Sequence, residues 1–314
     1  MTREQAEPAV RARGVNKRFG SVQAVQDVDF AVSSGEIFGL VGPDGAGKTT
    51  IMRMLAGVLR PDTGDILVDR VDVASDPEQA KLHLSYMPQR FGLYEDLTVA
   101  ENIFFYGELF AVPRDERIAR SQELLEAAGL QAFRRRLAGQ LSGGMKQKLG
   151  LVCALIHTPR VLLLDEPTTG VDPVSRRDFW AILYNLRESG VAIVLSTAYM
   201  DEAERCSRLA LLHEGVIRHC DTPARLKQAM PGVLLAITSA HPRLLREALA
   251  GKPGILGILL MGDRVHVRVD DDLHRIPEML ELLAGQGVTQ SDVTRTEPGI
   301  EDVFVALLGR EEAV

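Results

Sequence analysis

The sequence predicts an α/β protein with a mostly parallel sheet, followed by a small α+β domain. Short apolar runs at 37–41, 161–164 and 191–195 each precede a helical pattern, and strands that alternate with helices are typical of a parallel sheet. After Pro223 the pattern changes to strand, helix, two strands, helix and strand, which is typical of a ferredoxin-like unit. The chain of 314 residues therefore divides into two predicted domains, 1–223 and 224–314.

Within the first domain, the patterns also predict two subdomains. Loose alternation between Gly14 and Leu40, with a turn at 33–35, predicts an antiparallel β subdomain. From Glu78 to Gly139 apolar residues recur at helical spacing, which predicts a helical subdomain at about 90–150.

Composition and charge restrict the class of protein. The net charge is −7 and no long basic block is present, so a nucleic-acid partner is not expected. No apolar run approaches the length of about 18 residues that spans a bilayer, and the polar N-terminus does not resemble a secretory signal. The three cysteines, at 153, 206 and 220, have no paired spacing. We therefore expect a soluble intracellular protein with reduced thiols.

One glycine-rich segment has the spacing of a phosphate-binding loop. It follows the strand at 37–41, precedes a helical run, and matches G-x-x-x-x-G-K-[ST] with Gly42, Pro43, Asp44, Gly45, Ala46, Gly47, Lys48 and Thr49, followed by Thr50. Glycines allow backbone N–H groups to surround a phosphate, and the helix start adds partial positive charge. Lys48 is expected to reach the β- and γ-phosphates of a nucleotide, and the Thr49 hydroxyl to bind Mg²⁺.

The second motif is a pair of acidic residues that follows the strand at 161–164. Its residues Asp165 and Glu166 should face the phosphate loop, because ligands bind at the carboxyl ends of parallel strands. Asp165 fits the Mg²⁺-linked acid. Glu166 fits a general base that orients or deprotonates the attacking water. An acidic turn that caps the strand is the structural alternative for this pair.

Between these elements, Leu141-Ser142-Gly143-Gly144-Met145 opens another helix. With the two preceding motifs it resembles the nucleotide-binding subunit of ABC transporters over about 14–222, and it is most similar to drug-resistance exporter ATPases whose permease is a separate chain. The resemblance implies that Ser142, Gly143 and Gly144 bind the γ-phosphate held by a partner subunit, so that two subunits enclose two nucleotides head to tail. Met145 departs from the family's glutamine, which concerns affinity more than this arrangement.

The resemblance assigns roles to further positions. Phe19 matches an aromatic residue that stacks on adenine; a core phenylalanine is the alternative. Gln89 matches the glutamine that senses Mg²⁺ and the attacking water, and 90–98 match the segment that faces the permease. The turn 170–173 matches a loop that crosses between subunits; an ordinary turn is the alternative.

Ala198 is the clearest departure from the family pattern. It follows the strand at 191–195, where the family carries a histidine that contacts the γ-phosphate. Alanine has no hydrogen-bond donor, and loss of one transition-state donor typically costs about 100- to 1,000-fold in rate. Tyr199 or a water in the role of the histidine is the alternative. The departure predicts slow hydrolysis at the chain's own site and a partner ATPase, with a symmetric homodimer also open.

Two function classes follow from these observations. The first is an ATPase that drives an exporter through a membrane permease, paired with a second ATP-binding subunit as homodimer or heterodimer, at the cytoplasmic face of the inner membrane. The alternative is a soluble or regulatory ABC ATPase that is not coupled to transport. The last helical pattern, at 298–309, has apolar residues on one face; packing against its own sheet is the structural interpretation and dimer stabilisation is the functional one.

Overall fold

The computed structural model describes residues 7–90, 92–262, 264–283 and 292–308. The chain divides into two compact units, 1–220 and 221–314, close to the predicted boundary at residue 223. Assignment of these units as an ATP-binding domain and an accessory domain stays a prediction.

The centre of the first unit is a six-stranded sheet in the order β10-β9-β3-β8-β7-β6. The pairs β3–β8, β3–β9, β6–β7 and β7–β8 are parallel, as the alternating pattern predicts. The strands are β3 (Ile37–Val41), β6 (Leu84–Met87), β7 (Val161–Asp165), β8 (Ala192–Thr197), β9 (Arg208–His213) and β10 (Val216–Asp221).

An antiparallel sheet in the order β2-β1-β4-β5 forms the predicted β subdomain. Its strands are β1 (Val10–Phe19), β2 (Val22–Val32), β4 (Thr63–Val68) and β5 (Val71–Asp72). The apolar side chains of β1 and β2 pack into one core with residues of α1, β3, β7 and β8. This core fixes the antiparallel sheet against the strands that lead into the phosphate loop.

Helices cover the remaining surfaces of the first unit. They are α1 (Lys48–Leu55), α2 (Pro77–His83), α3 (Val99–Leu109), α4 (Arg114–Ala127), α5 (Gly143–Leu155), α6 (Pro173–Glu188) and α7 (Met200–Ala203). A separate apolar core joins α3, α4 and α5, which is the predicted helical subdomain.

One sequence expectation about this region is wrong. The helical spacing from Glu78 to Gly139 is interrupted by β6, which pairs with β7 in the parallel sheet. The strand has four residues, and two flanking helical patterns conceal so short a run. Tertiary pairing with β7 therefore decides its conformation over local periodicity.

The second unit has the predicted strand and helix order. Its four-stranded sheet has the order β12-β13-β11-β14, and its described pairs are antiparallel. The elements are α8 (Pro223–Gln228), β11 (Val233–Thr238), α9 (Pro242–Leu249), β12 (Ile255–Met261), β13 (Arg264–Val269), α10 (Asp272–Leu283), β14 (Val293–Arg295) and α11 (Ile300–Leu308).

Helix α11 supports the structural interpretation of its apolar face. Ile300, Val303 and Ala306 are buried, and the helix contacts α8 and β12 of the same unit. The side chain of Leu308, which belongs to the predicted face, and the residue Gly309, which ends the predicted segment, lie outside the described residues.

Two further expectations concern the whole chain. Across the described ranges, every helix is too short or too polar to cross a membrane. The three cysteines carry free thiols, of which Cys153 and Cys206 are buried. Burial raises the pKa of both buried thiols above its ordinary value, so they remain protonated and unreactive.

Candidate functional site

The glycine-rich segment forms a tight loop between β3 and α1. All five residues of β3 are buried, and α1 begins directly after Gly47. Gly45 and Gly47 have φ angles of 80° and 104°, which non-glycine residues seldom adopt. A Cβ atom added at Gly47 would lie 2.5 Å from the Ala24 carbonyl oxygen. Only glycine therefore fits where the loop turns its backbone toward the cleft.

Lys48 is buried beside this loop. Its Nζ donates to the carbonyl oxygens of Gly42 at 2.8 Å and Pro43 at 3.0 Å. It also lies 3.3 Å from Oε1 of Glu166. The cation of the phosphate loop is thus already in contact with the acidic element, as the sequence predicts.

Asp165 ends β7 and is almost fully buried. Its carboxylate accepts hydrogen bonds from Thr49 Oγ1 at 3.1 Å, Ser196 Oγ at 2.6 Å and Tyr86 Oη at 3.3 Å. Burial, together with the nearby carboxylate, raises the pKa of Tyr86 to about 12, so this phenol remains a donor. Three hydroxyls therefore compensate a buried carboxylate.

Glu166 occupies a different environment one residue later. Its Oε2 accepts from Gln89 Nε2 at 3.2 Å, and its Oε1 faces Lys48. The backbone N–H donates to Ser196 Oγ at 3.0 Å. Its φ angle of 49° is left-handed, a conformation that costs about 1–2 kcal/mol for a non-glycine residue. Strain of this kind clusters at functional sites.

A cleft of about 730 Å³ opens over these residues. Its lining combines the loop, the catalytic candidates and the start of β2: Val22, Gln23, Ala24, Asp44, Gly45, Gly47, Lys48, Thr49, Thr50, Gln89, Glu166, Thr169 and Glu214. Of the other predicted loop residues, Ala46 is buried and Pro43 is exposed. The cleft therefore joins a phosphate-binding backbone to a general-base candidate and to residues that lead away toward β1.

Phe19 lies at the end of β1, in the strand pair that leads to the cleft. Its side chain is 49% exposed, which excludes the alternative of a core phenylalanine. The Lys17 Nζ lies 5.6 Å from the centre of its ring. Val22, its pairing partner in β2, lines the cleft. An exposed ring at this position is available for stacking on a base.

Ser142, Gly143 and Gly144 lie at the start of α5. The Ser142 Oγ accepts from the Met145 backbone N–H at 3.3 Å and so caps the helix. Ser142 and Gly143 are exposed, whereas Gly144 is buried against Ser175 of α6. Among the described residues, these three do not line the cleft of their own chain.

The structure gives a packing role to Met145, where the family carries glutamine. Its side chain packs against the core of the helical subdomain and so contributes apolar contacts that a glutamine would not make.

The turn at 170–173 also has a defined local role. Asp172 caps α6 by accepting from the backbone N–H groups of Val174 and Ser175, and the bond from Ser175 is the main reason that its pKa is below the ordinary value.

Ala198 is exposed at the end of β8. The ring of the next residue, Tyr199, lies 4.5 Å from the Arg176 guanidinium. The Tyr199 backbone N–H donates to Thr197 Oγ1 at 2.9 Å. Arg176 thus holds the Tyr199 ring in a cation–π contact, while residue 198 itself presents only a methyl group.

Sequence reasoning missed three polar residues in this site. Ser196 contacts both Asp165 and the Glu166 backbone, Tyr86 contacts Asp165, and Thr169 Oγ1 lies 3.5 Å from Glu166. Ser196 had a usable signal, since it ends a buried strand next to two others that carry site residues. Tyr86 has no such sequence signal, because the helical patterns on both sides conceal the strand β6.

The donor set near Thr49 and Asp165 fits Mg²⁺. A hydroxyl and a carboxylate oxygen lie side by side, and Mg²⁺ prefers oxygen ligands. No cluster of three or more His, Cys, Asp or Glu side chains suited to a metal occurs within the described ranges. Mg²⁺ usually binds through one or two protein ligands, waters and substrate phosphates.

Comparison with known proteins gives several matches. The ABC transporter family model matches residues 25–169. The chain is 42% identical over 305 residues to the probable multidrug ABC transporter ATP-binding protein YbhF of Escherichia coli, covering 96% of this chain and 52% of that protein. The chain thus spans about half the length of that relative.

Two other relatives match over nearly their full length. The daunorubicin resistance ATP-binding protein DrrA2 of Streptomyces coeruleorubidus is 35% identical, with 96% of this chain and 95% of that protein covered. The Nod factor export ATP-binding protein I of Burkholderia lata is 37% identical, with 95% and 96% covered.

Solved structures agree with these relatives. An ATP-binding subunit of an ABC transporter has a TM-score of 0.65 at 28% identity, covering 70% of this chain and 92% of that one. The cassette MJ0796, in a dimeric post-hydrolysis state with ADP and phosphate, has a TM-score of 0.62 at 25% identity, covering 68% and 98%. With the phosphate loop, the acidic strand end and the helix-capping serine in place, the chain belongs to the ATP-binding proteins of ABC transporters.

Proposed function

We propose that this chain binds MgATP in the cleft over 42–50 and drives export through a separate membrane permease, at the cytoplasmic face of the membrane. The observation that carries this proposal is the contact of Lys48 with Glu166, beside Asp165 and Thr49. It joins a phosphate-binding group, a metal-ligand pair and a general-base candidate in one cleft. The names of full-length relatives concern drug resistance and Nod factor export, which supports the direction of transport.

In this proposal the loop amides and Lys48 bind the phosphates. Thr49 and Asp165, with Gln89, hold Mg²⁺, which neutralises charge on the phosphates when it is bound. Glu166 accepts a proton from the attacking water, and Gln89 orients the carboxylate. Phe19 stacks on adenine. Ser142, Gly143 and Gly144 bind the γ-phosphate of a second ATP-binding subunit.

We further propose that hydrolysis at this chain's own site is slow. Residue 198 presents a methyl group where the family carries a histidine, and Arg176 holds the neighbouring Tyr199 ring. One hydrogen bond to the γ-phosphate is then missing in the transition state. The second subunit of the dimer would supply the faster site, with its ATP completed by Ser142 of this chain.

Steady-state ATPase activity of the purified chain tests the slow site. We compare wild type and Ala198→His, with Glu166→Gln as the blank. The expected result is a wild-type rate near the blank and a gain of about tenfold or more in Ala198→His, where tenfold corresponds to about 1.4 kcal/mol. A fast wild type, with no gain from the histidine, would show that the chain is an ordinary self-pairing ATPase.

A further inference from the structure

A fully buried carboxylate lies close to residue 198. Glu202 belongs to the short helix α7 and has no exposed surface. A buried carboxylate is costly unless hydrogen bonds compensate for the lost water. The hydrogen-bond partners of Glu202 therefore indicate what its buried side chain does in the fold.

Each oxygen of Glu202 has a partner on a different loop. Oε2 accepts from Thr197 Oγ1 at 2.7 Å, at the end of β8. Oε1 accepts from Thr168 Oγ1, in the loop after β7, and from Trp180 Nε1 on α6 at 3.3 Å. Arg176 Nε lies 3.9 Å from Oε1. The carboxylate thus joins the β7–α6 loop to the β8–α7 loop.

The two threonines lie close in the chain to Glu166 and to residue 198. Thr168 is two residues after Glu166, and Thr197 directly precedes Ala198. The hydroxyl of Thr197 also accepts from the Tyr199 backbone N–H at 2.9 Å. Residue 198 is therefore held on both sides, by the threonine before it and by the helix that contains Glu202 after it.

We propose that Glu202 is a positioning residue for ATP hydrolysis. Its carboxylate fixes the backbone of residue 198 relative to Glu166, through Thr197 on one side and Thr168 on the other. Catalytic groups lose large factors in rate when they shift by about 1 Å, so a rigid link between these loops sets the rate without touching nucleotide. The proposal rests on the proposed ATPase function. It implies that the backbone at position 198 is still held where a histidine would need it, although the residue there is alanine.

Glu202→Gln tests this role with little change of volume. Glutamine offers one acceptor oxygen in place of two, and its amide NH₂ then faces a donor hydroxyl. In the Ala198→His background we expect kcat to fall at least tenfold, while KM and the Kd for a fluorescent ATP analogue change less than about twofold. Parallel losses of kcat and nucleotide affinity, with a lower Tm, would instead indicate a purely structural residue and overturn the proposal.

Thr197 supplies a matched pair of variants. Thr197→Ser keeps the hydroxyl that donates to Glu202, and Thr197→Val removes it at nearly constant volume. We expect the valine variant to lose kcat as Glu202→Gln does, and the serine variant to stay within about threefold of its parent. Equal losses in the two variants would mean that packing, and not the hydrogen bond, is responsible.

A readout without turnover separates this inference from the proposed function. A nitroxide attached to Ala198→Cys, in a chain that also carries Cys220→Ser, reports the mobility of residue 198 directly. We expect Glu202→Gln and Thr197→Val to increase that mobility and Thr197→Ser to leave it unchanged. An unchanged spectrum in all three overturns the positioning role, whereas failure of Ala198→His to gain activity overturns only the slow-site proposal.

Discussion

Two adjacent carboxylates illustrate how environment separates roles at the scale of residues. Asp165 is buried and accepts hydrogen bonds from three hydroxyls, so its carboxylate is fixed in one position. Glu166 lines the cleft, where its carboxylate contacts Lys48 and Gln89. These different surroundings are consistent with the different tasks proposed for the two carboxylates. The sequence places the pair, and the contacts distinguish its members.

Phe19 gives a prediction at this scale. Because its ring is 49% exposed, Phe19→Ala should leave the Tm nearly unchanged. Stacking of a base on an aromatic ring is worth about 1–3 kcal/mol, so we expect the Kd for ATP to rise about 5- to 150-fold. Isothermal titration calorimetry measures this change.

The matched control for Phe19 is Leu82→Ala. Leu82 is a large apolar residue with 60% exposure that does not line the cleft. Its truncation should change neither the Tm nor the Kd. An unchanged Kd in Phe19→Ala would remove Phe19 from the nucleotide site.

At the scale of elements, the site depends on the carboxyl ends of three neighbouring strands. β3 leads into the phosphate loop, β7 ends at Asp165, and β8 carries Ser196 and Thr197. The register pairs Asp165 with Ser196, which brings the serine hydroxyl to both carboxylate residues. The chemistry is therefore a consequence of strand register as much as of motif.

His157 gives a prediction about the element contacts of the helical subdomain. It follows α5, stacks on Phe110 at 3.8 Å, and its Nε2 lies 3.2 Å from the Leu84 carbonyl oxygen. Since a carbonyl only accepts, Nε2 carries the proton of a neutral ring. Burial lowers the pKa of His157 below its ordinary value.

The direction of the pH effect follows from this lowered pKa. The unfolded chain binds a proton near pH 6.5, whereas the folded chain binds it only at lower pH. The contribution of neutral His157 to the free energy of unfolding is thus fully present above about pH 6.5 and is lost as the pH falls. We expect the Tm to fall more between about pH 7.5 and pH 5.5 in wild type than in His157→Gln. Exposed His241→Gln is the control, and equal pH slopes in all three proteins would contradict the assignment.

At the scale of the whole molecule, the two units each have their own apolar core. The cassette core is formed by residues before 221, and the second core lies within the four-stranded antiparallel sheet and its helices. A chain that ends at Asp221 should therefore fold and bind ATP. The role of the second unit can then be measured apart from nucleotide binding.

Association with a permease is the prediction at this scale. We expect the affinity-tagged full chain, extracted from membranes in mild detergent, to be recovered with a multi-span membrane protein. The chain that ends at Asp221 is the matched variant, and its oligomeric state with ATP tells whether the second unit stabilises the dimer. Recovery of the full chain with ribosomes would favour the soluble alternative.

The fold class, the phosphate loop and the acidic strand end follow from the amino-acid pattern, and the departure at Ala198 follows from comparing that pattern with the family it resembles. The first three features depend on local spacing, on glycines that local geometry requires, and on apolar runs with a clear period. The remaining features of the site come from the tertiary structure. The strand β6, the hydroxyl of Tyr86 near Asp165 and the buried carboxylate of Glu202 depend on contacts between segments far apart in the chain, which carry no local pattern. Ser196 lies at a predicted strand end, but its hydrogen bond to Asp165 also depends on the pairing of β7 with β8.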